Sequence, residues 1–345
     1  MTGKFLINEF QKSHRGNMKL KFLILSILII VSCVSNSFAQ EKLAQTGMGF
    51  LSVISDGRAA ALGGSVTSRE MQSGSLFFNP ATMGFDTSLV NAVFSRNEWI
   101  ADINHYNAGI SFNPFDGDYG VFGLSLQIVD YGLIEGTIVA NNEQGYLDVG
   151  NISANAFAAG LGYAKALSDK FSVGGQVKWV RQSLGESLIP VDSINFNNVK
   201  NEISVLAFDF GTLYKTGFKS LVFGMSVRNF SQEVKYVREE FQLPLTFSIG
   251  IAMDLNDISE FGEEHSFLFS VDAIHARSAT GQVGFALEYQ FMNHFFLRGS
   301  YVTHNSENEY NLGAGIAWYG VQFDYAFSPY GVFGDIQRLT VRFSY

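Results

Sequence analysis

One pattern recurs fourteen times along this chain: a run of roughly nine to thirteen residues in which apolar side chains alternate with small or polar ones. The last run is the clearest. In Leu339-Thr340-Val341-Arg342-Phe343-Ser344-Tyr345 one face carries Leu, Val, Phe and Tyr, and the other Thr, Arg and Ser. Successive side chains of a strand point to opposite faces, so each run has a greasy face and a wet one. A helix would instead space its apolar residues by three and four. Val321, Phe323, Tyr325 and Phe327 alternate with Gln322, Asp324 and Ala326, and Phe122, Leu124, Leu126 and Ile128 with Gly123, Ser125 and Gln127. The runs over 217–229 and 280–291 read the same way. The pattern predicts strands at 88–95, 103–112, 120–130, 153–164, 170–182, 202–215, 217–229, 242–254, 265–275, 280–291, 293–303, 308–319, 320–328 and 335–345.

The links between these runs carry a second signal. Those after the second, fourth, sixth, tenth and twelfth strands are short and turn-like. Those at about 131–152, 183–201 and 230–241 are long and polar. Short turns at one end and long loops at the other describe a transmembrane β-barrel. The link at 255–264 is longer than this rule wants, and the one after the ninth strand is shorter. A soluble sandwich alternates too, with its apolar faces buried inside. Two features favour the membrane. The wet face is rich in Gly, Ser, Gln, Asp and Arg, which suits a hydrated lumen. Tyr119, Tyr131, Trp179, Tyr214, Trp318, Tyr319 and Tyr345 cluster near strand ends, where interfacial girdles belong. The expected fold is therefore all-β: a 14-stranded antiparallel transmembrane barrel over 88–345.

Composition excludes other classes. Only 16% of the 345 residues are charged, against about 25% in a typical soluble domain. Thirty-three phenylalanines rule out disorder. A helical membrane bundle needs apolar runs of about 18–25 residues, and the one long run lies near the N-terminus. There Met18-Lys19-Leu20-Lys21 is a basic start, Phe22 to Val31 is apolar, and Ser37-Phe38-Ala39 before Gln40 is an A-x-A-like cleavage site. Residues 1–39 thus read as an N-terminal extension, with Met18 an alternative start, and a secretory signal peptide. Cys33 in Ile30-Val31-Ser32-Cys33 also resembles a bacterial lipoprotein signal, and intact mass separates the two readings. Cleavage after Ala39 removes five basic residues and one acidic, taking the net charge from −9 to −13. Nucleic acid is not an expected partner of so acidic a chain.

Residues 40–87 do not alternate. They contain Asp56-Gly57-Arg58-Ala59-Ala60-Ala61-Leu62-Gly63-Gly64 and, about 15 residues on, Leu76-Phe77-Phe78-Asn79-Pro80-Ala81. This pair resembles the PorV/PorQ family of outer-membrane proteins, related to the FadL-like barrels. Ile100-Ala101-Asp102-Ile103-Asn104, Val227-Arg228-Asn229, Leu243-Pro244-Leu245-Thr246 and Gln337-Arg338-Leu339-Thr340-Val341 extend the similarity over nearly the whole mature chain. Asp56-Gly57-Arg58 departs from the family's Asp-Ala-Arg or Ser-Ala-Arg. The resemblance implies a FadL-like barrel whose N-terminal segment folds into the lumen as a hatch, with Asp56, Arg58, Gly63, Gly64, Asn79 and Pro80 as its motif.

Read from the residues alone, Ala59 to Gly64 suits a tight helical turn packed on a wall, since small residues allow close approach. A buried Arg58 needs a partner: Asp56, Asp324 and Glu288 are the candidates, and its role is either a plug anchor or a ligand contact. Asn79-Pro80 is expected to turn the chain into the first strand through an Asx turn. Val341, Phe343 and Tyr345 resemble the terminal signal by which barrels are recognised for insertion. That makes the barrel assembly machinery and outer-membrane lipids expected partners.

No catalytic, cofactor or metal constellation stands out. The six His are scattered, with His265, His275, His294 and His304 near strand ends or loops. Tyr301-Val302-Thr303-His304-Asn305-Ser306 only faintly echoes a phospholipase His/Ser arrangement. The expected protein is no enzyme but a bacterial outer-membrane barrel, exported through its signal peptide. The family resemblance points to a type IX secretion component that escorts or anchors cargo, with the machinery and cargo C-terminal domains as partners. The alternative is a FadL-like passive transporter of hydrophobic small molecules, with a wall opening near Pro244 or the glycines of the fourth strand.

Overall fold

A computed structural model describes residues 46–190, 196–236, 239–259, 261–305 and 308–345. The signal-peptide reading and Cys33 lie outside the described residues. Alternation predicts strands, and strands form. In chain order they are β1 (Val90–Glu98), β2 (Asn104–Phe112), β3 (Val121–Asp130), a hairpin of β4 (Ile134–Val139) and β5 (Tyr146–Ile152), then β6 (Asn155–Ala166), β7 (Phe171–Pro190), β8 (Phe196–Lys215) and β9 (Val222–Ser231). A second small hairpin follows, β10 (Val234–Tyr236) and β11 (Glu239–Phe241). The series ends with β12 (Thr246–Asp254), β13 (His265–Ala276), β14 (Gln282–Phe291), β15 (Phe295–Val302), β16 (Tyr310–Trp318), β17 (Val321–Pro329) and β18 (Asp335–Ser344). Without the two hairpins, fourteen strands close antiparallel, β1 pairing with β18 from Asn91–Ser344 to Glu98–Gln337.

The alternation sorts the faces as expected. Phe94, Ile110, Leu124, Leu161, Phe210, Leu297, Leu312 and Phe323 stand exposed on the outside. A continuous apolar belt on a closed barrel is a surface for hydrocarbon, because closure leaves no backbone edge unpaired in lipid. The inward positions are buried and polar, among them Asn91, Ser95, Asn107, Gln176, Asp209, Asp272, Glu288, Arg298 and Asp324. Six of the seven strand-end aromatics are exposed. Tyr131 is the exception: its hydroxyl accepts from Gln182 Nε2 at 3.0 Å, and its ring packs with luminal Val129 and Ala156.

Val90 and Tyr345 exchange backbone hydrogen bonds at one end. The links at that end, 113–120, 167–170, 216–221, 255–264, 292–294 and 319–320, are turns. The longer link 255–264 is a capped turn, tied to its neighbour where Ser220 N donates to Asp257 Oδ2 at 2.7 Å. The opposite end carries the β4–β5 and β10–β11 hairpins. It also carries the tips of β7 and β8, which run on past a bulge between Ser183 and Glu186 where the sequence suggested a loop over 183–201. Outside the belt both faces of a strand meet water, so alternation ceases to mark it.

Candidate functional site: the lumen and a break in its wall

The segment from Thr46 to Asp86 lies against the inward face. Asp56 N-caps a single helical turn, α1 (Gly57–Ala61), accepting from Ala59 N at 2.9 Å. The Ala-Ala-Ala run gives α1 a thin profile, as its small side chains suggested. Gly63 and Gly64 end the turn with φ of 58° and 77°. A Cβ on Gly63 would stand 2.6 Å from Val302 Cγ2, so close approach and left-handed backbone both require glycine there.

The charges that hold this segment come from strands far off in sequence. Arg58 grips Glu288 with Nε and Nη2 at 3.0 and 2.8 Å, which settles its partner among the three candidates. Arg69 Nη1 reaches the same carboxylate at 3.2 Å, and Arg298 donates to it as well. Asp56 pairs with Arg342 instead, and Arg342 and Arg298 share Asp324 at 3.1 and 2.7 Å. Four arginines and three carboxylates thus form one buried lattice. Each guanidinium there is matched or hydrogen-bonded, which is the condition for burying charge. Further bonds run from Gly57 N to Thr340 Oγ1 (2.7 Å) and from Thr67 N to Asp272 Oδ2 (2.8 Å).

Asn79 does make an Asx turn, accepting from Ala81 N at 3.1 Å. The turn opens a 3₁₀ helix over Pro80–Phe85 rather than strand β1. Asn79 Nδ2 donates to Thr67 and Thr212 carbonyls at 2.7 and 3.1 Å, tying two stretches of segment to β8. The turn into β1 belongs to Asp86, which the sequence reading passed over. It accepts from Ser88 N at 3.2 Å and from Asn91 Nδ2 at 2.6 Å, while its carbonyl accepts from Asn113 Nδ2. Burial pushes the Asp86 carboxyl up to about 6, a rise that its bond from Ser88 N only partly opposes. Val341 and Phe343 face outward on β18, and Tyr345, just past its end, is exposed.

At the long-loop end the lumen turns apolar. Met48, Phe50 and Leu51 pack among Val129, Ala156, Ala158, Val180, Val205, Ala207, Val234 and Leu243. Thr46 forms a parallel bridge with Gln242, and Gly47 N donates to the Gln242 carbonyl at 3.1 Å. Behind this cluster the wall is interrupted. The β8–β9 ladder slips between Phe208 and Phe210, where Asn229 takes a φ of 60° and its N–H donates to Asp209 Oδ1 at 2.7 Å. Lys178 Nζ meets Asp209 Oδ2 at 2.8 Å, so the bulge carries a buried ion pair. The ladder stops at Ala207–Ser231, and β12 joins β9 only from Thr246–Arg228 downward. Higher up, β8 pairs with β7 alone. There a recess of about 400 Å³ is lined by outward Trp179, Leu206 and Phe208, by the polar Ser204 and Gln232, and by inward Val205, a member of the apolar cluster.

Of the two positions named from the sequence as a wall opening, Pro244 lies beside the break and the glycines of the fourth strand do not. Pro244 precedes β12 and sits outside the ladder, its carbonyl accepting from Asn229 Nδ2 at 3.1 Å. Gly160 and Gly162 lie in unbroken pairing with β3 and β7, facing inward. They make room there: a Cβ on Gly162 would stand 2.3 Å from Leu76 Cδ2.

No protein-family model matches the chain, and no curated protein does. Solved structures do. The crystal structure of the Pseudomonas putida toluene transporter TodX is similar at 13% identity, over 84% of this chain and 96% of that one, with a TM-score of 0.54. That of a Pseudomonas aeruginosa FadL homologue is similar at 11% identity, over 84% and 98%, with a TM-score of 0.50. The fold is FadL-like. At these identities the likeness covers architecture alone.

Proposed function

We propose that this chain is an outer-membrane barrel that passes hydrophobic small molecules between the cell surface and the bilayer through its wall, with Thr46–Asp86 acting as the hatch. The observation that carries this reading is the recess at the end of the β8–β9 ladder. It lies on the outer face, backed by Val205 of the apolar luminal cluster, at a stretch where the β8–β9 ladder has ended. A molecule entering among the long loops meets apolar side chains there, and the charged lattice blocks the way straight down. Leaving sideways breaks no ladder bond, because β8 has no β9 partner at that height. TodX and the FadL homologue support the reading by their fold.

The test is uptake. A deletion strain should lose uptake of a hydrophobic probe such as toluene, the wild-type chain should restore it, and Val205→Trp should not. Unchanged uptake in the deletion strain would overturn the proposal.

Secretion is the second reading. What favours it is the resemblance around Arg58 and Asn79, together with the hairpins that stand out from the long-loop end, where Leu133, Val139 and Leu147 are exposed. Loss of surface display of cargo with C-terminal sorting domains in the same deletion strain would select it.

A further inference from the structure

The strand glycines of this barrel follow a rule with two exceptions. Those that face inward stand where a side chain would collide with the luminal segment or a luminal side chain. A Cβ on Gly174 would lie 2.6 Å from Ala81 N, on Gly211 1.9 Å from Asn79 Oδ1, on Gly224 2.4 Å from the Thr67 carbonyl and on Gly284 2.2 Å from Ser65 Oγ. By alternation along their strands, Gly175 of β7 and Gly299 of β15 face outward. No left-handed backbone and no collision under 3.0 Å requires glycine at either. Their φ angles are ordinary, and a Cβ on Gly299 would sit 3.6 Å from Leu312 Cδ2, an ordinary contact. On Gly175 it would meet Phe210 Cδ1 at 3.6 Å and the Asp209 backbone oxygen at 3.3 Å, tighter than ordinary contact, so β8 would have to give by a few tenths of an ångström. Glycine weakens a strand interior and often marks a bulge, a tight bend, or a site where a ligand or another backbone approaches closely; neither of these two lies at a register shift.

Each is the floor of a groove in the lipid-facing belt. Over Gly299 the groove is about 630 Å³, walled by Phe285, Leu287, Leu297, Tyr301 and Leu312. Over Gly175 it is about 610 Å³, walled by Leu124, Leu161, Tyr163, Val177 and Phe210. Arg298 and Gln176, the charged and amide neighbours, turn inward, so neither groove presents a charge. Both glycines lie four residues above the start of their strands, Phe171 and Phe295, at the turn end. At about 3.3 Å per residue and a tilt of 35–45°, that is about 10 Å into the hydrocarbon, within one leaflet.

We propose that Gly175 and Gly299 are the floors of two acyl-chain sites, each holding one tail of a glycerophospholipid in the leaflet nearer the turns. The grooves belong to the surface that already meets lipid, and lipid is the one occupant present at that depth on every side. Two similar grooves on different walls suit a small abundant molecule, whereas a symmetric partner copy would use one patch. Lipid tails are as apolar as these side chains, so retention comes from close van der Waals fit against the walls.

Native mass spectrometry of the full mature barrel, reconstituted with phosphatidylethanolamine and released from mild detergent, tests the assignment. Wild-type barrel should retain up to two phospholipids, Gly299→Leu and Gly175→Leu one fewer each, and the double variant none. Equal lipid on wild type and double variant, or no lipid on wild type, overturns it, as does a barrel released as a dimer without lipid. If a leucine variant fails to fold, Leu297→Trp reports instead. Its fluorescence should be quenched by brominated phosphatidylcholine, and Gly299→Ala should weaken that quenching at least twofold; unaltered quenching overturns the site. Uptake of hydrophobic probes is independent of this result.

Discussion

At the scale of single residues, the lumen works by close matching of charge and space. Glu288 takes three arginines, so removing its charge strands guanidinium groups away from water. Glu288→Ala should destabilise the folded barrel by about 3–5 kcal/mol, read as a shift in the urea unfolding midpoint in lipid vesicles. Gly63→Val forces a left-handed backbone on a branched residue and a collision with Val302. It should cost about 1–3 kcal/mol and expose Thr46–Asp86 to protease while the barrel stays closed. Asp86 makes one contribution to the pH dependence. Its folded carboxyl titrates at about 6 against 3.8 for a free one, so the folded chain holds its proton more tightly. Its contribution to stability is then greatest below about pH 4, falls as pH rises through 6, and is level above. Asp86→Asn should flatten that slope in unfolding midpoints measured between about pH 4 and pH 8.

At the scale of elements, the strands were legible because one physical pressure, grease outside and water within, acts on every residue of the belt. Leu339 to Tyr345 alternates for that reason, and β18 forms there. Beyond the belt the pressure vanishes, which is why the outer halves of β7 and β8 read as loop. The luminal pairing was half legible. Arg58 announced the need for a partner, but Asp324 and Glu288 both read simply as wet-face acids, and only closure decides which lies opposite. The bulge was not legible. Register is invisible to alternation, and Asp209 and Asn229 look like any other inward polar pair. The upper lock was hidden too, since Thr46 and Gln242 are far apart and neither is distinctive. A disulfide between Thr46→Cys and Gln242→Cys should hold Met48, Phe50 and Leu51 in the apolar cluster and stop uptake of hydrophobic probes. Reduction should restore it, as measured on cells with and without reductant.

At the scale of the whole molecule, the arrangement imposes an order of events. Gly57 binds Thr340 and Asp56 binds Arg342, pairings separated by 283 and 286 positions. Neither partner is in place until the final strand has met the first, because β18 completes the wall. The luminal stretch, made before the strands it binds, is therefore the last to find its seat. Such distant pairings are slow to form. Until they do, a half-built cylinder carries an unsatisfied arginine-rich interior and a loose segment of its own with exposed charges and apolar side chains. A carrier that keeps this early stretch occupied during transit would shorten that vulnerable interval, and a chain lacking Arg342 would prolong it.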